Sequence, residues 1–389
     1  MNESHNIIYM KRSVITVCML SCIVLFTECK NGAVADKEIV SIEKAYDSDE
    51  VAFEDVAADV CIVPLISDEP LDECNRIRCY GSTAVICAGL ETIYFFDDGK
   101  LTAELNRVGR GPGEYPFISD YIYSPGRKIL YVRSGGTNTI LKYSVPELKY
   151  LGSFEIDSSM SCFAEHDDST LLCRMASSDG SFADYFIDAD NGEVRGMLKK
   201  VSAFSVMMDG ENAYYSPDHR ILLELGSLNT ISEVGARVGD GENILCQFDF
   251  GKDSYPARLD SVALDMDFVM EMVQYSSSRE ETIVSSVGRA MATEGSVSFW
   301  YGVGMLNNQH YCRITGDDIV KYSGFKAKGM DKPILPTGLT DNGYVTIIDG
   351  LAESLFDSSG ERSNFTAELE KAMNSQEFNN PVLVFYSIR

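Results

Sequence analysis

Histidine, tryptophan and basic side chains are scarce in these 389 residues: there are 4 His, 1 Trp and 33 Lys or Arg against 59 Asp or Glu, a formal charge of −26. A surface of that sign repels a phosphate backbone, which excludes a nucleic-acid binder held by phosphate contacts. Beyond the N-terminal segment the histidines are His166, His219 and His310, isolated from one another and without HxH or HExxH spacing, so neither a metal nor any other cofactor is expected. Proline is sparse too, at 11 residues, while 45% of the chain is hydrophobic and 10% aromatic, the composition of a packed globule and not of a disordered acidic tail. No cysteine pair has CxxC spacing, Gly-x-Ser-x-Gly is missing, and Ser323-Gly324-Phe325-Lys326 is a Ser-x-x-Lys without its companion motifs. No catalytic residue is assigned.

Long apolar runs are equally rare. Ser13 to Thr27 is uncharged and follows Lys11 and Arg12, the order of a secretory signal, and it is too short to span a bilayer as a helix. Leu25-Phe26-Thr27-Glu28-Cys29 resembles a bacterial lipobox, in which the cysteine is acylated and becomes the first mature residue, with Glu28 standing where a small residue is usual. Ordinary cleavage near Ala33 or Ala35, or processing at Cys22, are the alternatives. The expected organisation is a lipoprotein-type signal over 1–28, a linker over 29–50 and one domain over 51–389, with membrane contact only through a lipid on Cys29. Of the cysteines after position 29, most lie in apolar runs such as Val85-Ile86-Cys87 and Leu171-Leu172-Cys173, where a thiol behaves as a small hydrophobe; buried thiols are expected in preference to disulfides.

The mature chain is dominated by short apolar or alternating runs, among them Ala84 to Ala88, Thr92 to Phe96, Lys128 to Arg133, Ser169 to Cys173, Gly343 to Ile348 and Pro381 to Ile388. Their length and their Val, Ile, Tyr and Phe content predict strands. Turn signals recur at Asp97-Asp98-Gly99-Lys100, Val145-Pro146-Glu147-Leu148, Asp190-Asn191-Gly192-Glu193 and Gly239-Asp240-Gly241-Glu242, and positions 98, 147, 191 and 241 are 49, 44 and 50 apart. Four short strands every 40 to 50 residues, roughly, is the period of a β-propeller blade. Two amphipathic helices are expected as insertions, over 259–275 and over 364–376, the second with Phe365, Leu369, Ala372 and Met373 on one face. The count predicts an all-β, six-bladed propeller with short helical insertions. Its last blade is assembled from both chain ends, with Asp59 to Leu65 as the closing strand, because a ring must hide its final edge.

Three segments resemble a known family. They are Asp59 to Leu65, the block Val108-Gly109-Arg110-Gly111-Pro112-Gly113-Glu114-Tyr115 followed by Ile118 and Asp120, and the ending Asn380-Pro381-Val382-Leu383-Val384-Phe385-Tyr386. The chain resembles the six-bladed β-propeller lipoproteins of Bacteroidota-type bacteria, similar in pattern to NHL-repeat propellers. That resemblance implies a periplasmic or surface location on the outer membrane and a lipid anchor; it implies no chemistry.

The Gly109 to Tyr115 block has the glycine density of an anion loop, but it lacks a Gly-Lys-Ser/Thr ending, carries Glu114 and leads into a strand, so it is expected to shape the crossing between blades. Arg110 and Glu114 are expected either to pair there or to line the channel mouth. Asp120, just downstream, joins them as a ligand-binding candidate, as do Trp300 and Tyr301, adjacent strand residues that point to opposite faces. Two functions follow as expectations. One is an exported propeller that binds a peptide, a glycan or an envelope protein; the other is a propeller hydrolase or lyase acting at the central channel. A carboxylate pair or a metal cluster at the mouth favours the second, an aromatic and neutral-polar mouth the first.

Overall fold

The protein is described by a computed structural model over residues 38–41, 46–47, 51–156, 160–176, 182–201, 213–215, 221–225, 230–249, 286–293, 296–303, 309–315, 318–322, 325–335, 337–340, 343–350 and 352–388. β-Branched and aromatic runs form its strands because their side chains fit a half-buried pleated surface. Glycine permits the turns: Asp98 and Gly99 both take positive φ, 46° and 76°, the backbone of a two-residue hairpin between Thr92–Asp97 and Lys100–Asn106.

Among the described residues, six sets of four antiparallel strands succeed one another along the chain; four stand as four-stranded sheets, two carry a fifth, parallel strand, and one further sheet has two strands. The first holds Cys74–Tyr80, Thr83–Ala88, Thr92–Asp97 and Lys100–Asn106; the second Ile118–Ser124, Ile129–Ser134, Thr139–Ser144 and Tyr150–Glu155; the third Met160–Asp167, Thr170–Ala176, Phe182–Asp188 and Val194–Val201. Ala213–Tyr215, Ile221–Leu225, Thr230–Val234 and Glu242–Asp249 make the fourth, and Ser286–Thr293, Ser296–Val303, Gln309–Thr315 and Asp318–Tyr322 the fifth. In the sixth, Gly338–Thr340, Gly343–Ile348 and Val382–Ile388 are completed by Ala57–Pro64, which runs antiparallel to the final strand with Val384 opposite Ile62. The expected two-ended sheet is present, shifted by one or two residues. Gly343 serves this sheet: a Cβ there would lie 2.1 Å from the Tyr386 carbonyl oxygen.

The N-terminal segment borders several sheets in turn. Within the stretch read as linker, Glu38–Ser41 pairs parallel with Glu242–Asp249 and Tyr46–Asp47 pairs parallel with Asp318–Tyr322. Val51–Ala52 then pairs with Phe325–Lys326, Ala57–Pro64 joins the sixth sheet, and Ile66 makes a parallel bridge to Lys100 of the first. The chain therefore borders sheets four, five, six and one in that order.

Apolar faces of neighbouring sheets fuse into shared cores. Ile86, Tyr94 and Phe96 of sheet one pack with Val345 and Leu383 of sheet six; Val85 and Phe95 pack with Tyr121 and Leu130 of sheet two; Ile122 and Tyr131 of sheet two pack with Phe163 and Leu171 of sheet three. Several polar contacts between sheets share one separation. Arg76 to Ser119, Arg78 to Tyr121, Tyr80 to Tyr123 and Asp120 to Phe163 each link residues 43 apart, so one sheet is one repeat.

Of the expected helices, 259–275 lies outside the described residues, whereas the second forms as Asn364–Asn374. Ser363 caps it reciprocally, its Oγ accepting from the Thr366 N–H and its own N–H donating to Thr366 Oγ1. Phe365, Leu369, Ala372 and Met373 share the buried side, as their spacing predicts, and the Phe365 ring meets Phe53 at 4.6 Å. Cys74, Cys87 and Cys173 are buried thiols, and no disulfide involves Cys61, Cys74, Cys79, Cys87 or Cys173.

Candidate functional site

The crossing from sheet one to sheet two begins at Arg107. Val108 bridges Tyr115 in parallel, the Gly109 N–H donates to the Tyr115 carbonyl at 2.9 Å, and the Tyr115 N–H donates to the Arg107 carbonyl at 3.1 Å, which pinches residues 107–115 into a closed loop. Two tyrosines pin it from beneath. Buried Tyr115 receives the Arg107 N–H on its hydroxyl and donates to the Glu91 carbonyl at 2.9 Å, while the Tyr143 hydroxyl donates to the Gly113 carbonyl at 3.0 Å. Burial raises the Tyr115 phenol to about 12, so it stays a donor across the physiological range.

The glycines have a specific reason. The Glu114 carboxylate folds back and accepts the Gly111 N–H at 2.7 Å, and a Cβ on Gly109 would lie 2.0 Å from its Oε2. Glu114 thus fills the loop's own anion position, which explains physically why this glycine-rich block is a crossing and not a phosphate cradle. Arg110 and Glu114 are both exposed, so they do not form a buried pair. Around the same loop three large apolar side chains are also exposed: Leu90 at 42%, Val108 at 46% and Phe117 at 41%. The Ile118 N–H, next to Phe117, donates to the Leu90 carbonyl, and the Gly135 N–H donates to that of Phe117.

Asp120 has a different environment. Its side chain is 3% exposed, its Oδ1 meets the Arg78 guanidinium at 3.0 Å and the Tyr121 N–H at 2.8 Å, and its Oδ2 accepts the Phe163 N–H at 3.3 Å. It therefore ties the first strands of sheets one, two and three together. Arg76 does similar work, donating to the carbonyls of Ser119 and Ile118, and both guanidiniums lie over the Tyr121 ring, that of Arg78 at 5.3 Å. In sheet three, buried Glu165 accepts the Ser124 hydroxyl, and Arg174 grips Asp184 at 2.8 Å with both side chains buried. Arg76, Arg78, Glu165 and Arg174 carry no motif in the sequence; the spacing of 43 between partners is the signal that exposes the first two.

Trp300 and Tyr301 lie on Ser296–Val303, opposite Cys312 and Tyr311 respectively. Arg110 and Glu114 share one loop, whereas Asp120 belongs to the interior of the neighbouring sheet. Cys29 is outside the described residues. Among the described residues, no three His, Cys, Asp or Glu gather to hold a metal ion, and no helix is long and apolar enough to cross a membrane.

Successive four-stranded antiparallel sheets whose first strands are stapled to each other define a propeller-like β fold. The chain belongs to the family described as a domain of unknown function, DUF4934, whose match covers residues 37–387. Its fold is similar to that of a Bacteroides fragilis protein provisionally described as exported, with 18% identity, a TM-score of 0.64, and coverage of 90% of this chain and 99% of that one. Weaker likenesses include the WD40 repeats of RRP9, at 12% identity and a TM-score of 0.40 over 86% of this chain and 99% of that one. The β-propeller domain of Cps50 (Swd1) from Myceliophteria thermophila follows, at 9% identity and a TM-score of 0.34 over 65% and 69%. No curated protein matches the chain.

Proposed function

We propose that the chain is an exported, lipid-anchored, closed six-bladed propeller that binds a peptide or an envelope protein on the face formed by its 107–117 crossing. Closure is supported by the core that sheets six and one share and by the N-terminal segment, which leaves Pro64 of the sixth sheet and bridges Lys100 of the first. Binding is carried by one observation: Val108 and Phe117 stay exposed on a crossing that Tyr115 and Tyr143 tie down, with Arg110 and Glu114 on the same crossing and Leu90 exposed on the turn whose carbonyl accepts the Ile118 N–H. Aliphatic and aromatic side chains on a preorganised loop suit a peptide or protein better than a glycan. The hydrolase or lyase reading draws less support, because Asp120 and Glu165 are engaged in structural hydrogen bonds between sheets.

A thermal-shift screen of the whole protein against apolar-anchored peptides, muropeptides and glycans tests this, since a ligand of the folded state raises its melting temperature. A shift that disappears in both Phe117→Ser and Arg110→Glu is expected; a shift that survives both places the ligand elsewhere. Export and anchoring have their own test. Cys29→Ala releases the protein from membranes while Cys22→Ala does not; retention of the Cys29→Ala protein with membranes defeats the lipoprotein reading.

A further inference from the structure

The outer strands of the six sheets are not treated alike. Glu38–Ser41 covers the edge of Glu242–Asp249 in sheet four and Tyr46–Asp47 that of Asp318–Tyr322 in sheet five, both in parallel. At sheet one the same segment begins the same arrangement and abandons it. Ile66 exchanges two backbone hydrogen bonds with the edge, donating to the Gly99 carbonyl at 2.7 Å and accepting from the Leu101 N–H at 3.0 Å, and then residues 67–72 turn away toward Cys74. Lys100–Asn106 remains the last strand of its sheet. Where the chain departs, a groove of about 700 Å³ opens beside this strand. Its walls include Asp68, Glu69, Asp72 and Glu104 against the single cation Lys100, with buried Tyr94 at the base donating to Asp72 at 3.4 Å.

An edge strand is a template for another extended chain, and strand addition takes its affinity from the backbone and its selectivity from the flanking side chains. We infer that this edge and groove form a second docking site, distinct from the 107–117 face, which takes an extended peptide segment bearing cationic side chains. The segment adds to the part of this edge beyond Leu101, which Ile66 already occupies, in the parallel sense that Ile66 initiates. Four carboxylates beside one ammonium set the sign of its charge, and the groove's volume accommodates a few side chains of the incoming strand.

The test uses the whole protein and three fluorescein-labelled heptapeptides: Lys-Val-Lys-Val-Lys-Val-Lys, the corresponding Glu-Val peptide, and the Lys-Val peptide with alternate backbone amides methylated. Fluorescence anisotropy near physiological salt is expected to show binding of the first. It should weaken about tenfold or more on backbone methylation, and about tenfold in the Asp68→Asn/Glu104→Gln protein, as the loss of two charge contacts implies. These two residues are exposed, so the double variant should keep its melting temperature. Glu147→Gln/Glu193→Gln, an equally exposed pair elsewhere, should leave binding unchanged. Equal affinity of the methylated peptide overturns strand addition. An equal loss in the Glu147/Glu193 control, or binding of the Glu-Val peptide, reduces the attraction to diffuse charge and overturns the site. Phe117→Ser leaves this binding intact, which separates the groove from the loop face.

Discussion

Arg78 and Asp120 meet at 3.0 Å across the boundary between the first and second sheets, with their side chains 15% and 3% exposed. The pair is nearly dry, and the same carboxylate also accepts backbone N–H groups from Tyr121 and Phe163. Removing one partner strands the other's charge, so Asp120→Ala should lower unfolding stability by about 3 kcal/mol. Urea denaturation measures it. A loss below about 1 kcal/mol, in the range of an exposed pair, denies that Asp120 clamps three sheets.

The junction between sheets six and one makes a prediction about glycine. Gly99 has a φ of 76° and a Cβ there would lie 2.6 Å from the Pro64 carbonyl oxygen and 2.6 Å from Val63 Cγ1, whereas Gly81, with a φ of 60°, has nothing within 4 Å. Gly81→Ala should cost only the left-handed backbone penalty of about 1–2 kcal/mol. Gly99→Ala should cost visibly more, because the backbone of Pro64 must move. Similar melting temperatures for the two variants would show that Gly99 does not seat the Ala57–Pro64 strand.

Thiol chemistry reads burial directly. Burial, reinforced by Asp349 and Asp72, raises the Cys74 thiol to about 12, and Cys87 and Cys173 are also buried, while Cys61 is exposed. Only a thiolate attacks an alkylating reagent. At pH 8.5 iodoacetamide should therefore label Cys61 in the native protein and reach Cys74, Cys87 and Cys173 only after unfolding. Peptide mapping that finds native Cys74 labelled as fast as Cys61 contradicts the fold around Tyr94.

Two neighbouring carboxylates, among four held below their ordinary value, contribute to the acid response. A hydrogen bond from Arg127 holds Asp190 below the ordinary value of 3.8, and the Asp190 N–H, aided by Arg195, does the same for Asp188. A depressed carboxylate binds its proton more tightly when the chain unfolds, so its contribution is complete above the unfolded value and is lost as pH falls through the folded one. Stability should decline below about pH 4, and Arg127→Met should flatten that decline. An unchanged pH profile in Arg127→Met removes Asp190 from the acid response.

Much of the architecture was legible locally. Asp98-Gly99 marks a hairpin because few other dipeptides accept two positive φ angles, Gly192 supplies the one positive φ of the 188–193 turn, and the face Phe365, Leu369, Ala372 and Met373 marks a helix because 3.6 residues make a turn. The site was less so. Glycine density pointed to the 107–115 crossing, but the sequence carries no sign that Glu114 turns back to satisfy Gly111, since that depends on the loop's closure.

By itself the sequence determined the strands, the repeat of four, the helix near the end and the pairing of Ala57–Pro64 with the last strand, because each follows from a periodic burial pattern or from the cost of an open edge. Tertiary structure alone decided the fate of the charges. In the sequence Asp120 stands close after Arg110 and Glu114, yet it faces a neighbouring sheet and they face solvent. Partners 43 residues apart are brought to hydrogen-bond distance only when sheets stack, and whether a carboxylate binds a ligand or clamps the fold is set by which sheet lies against it.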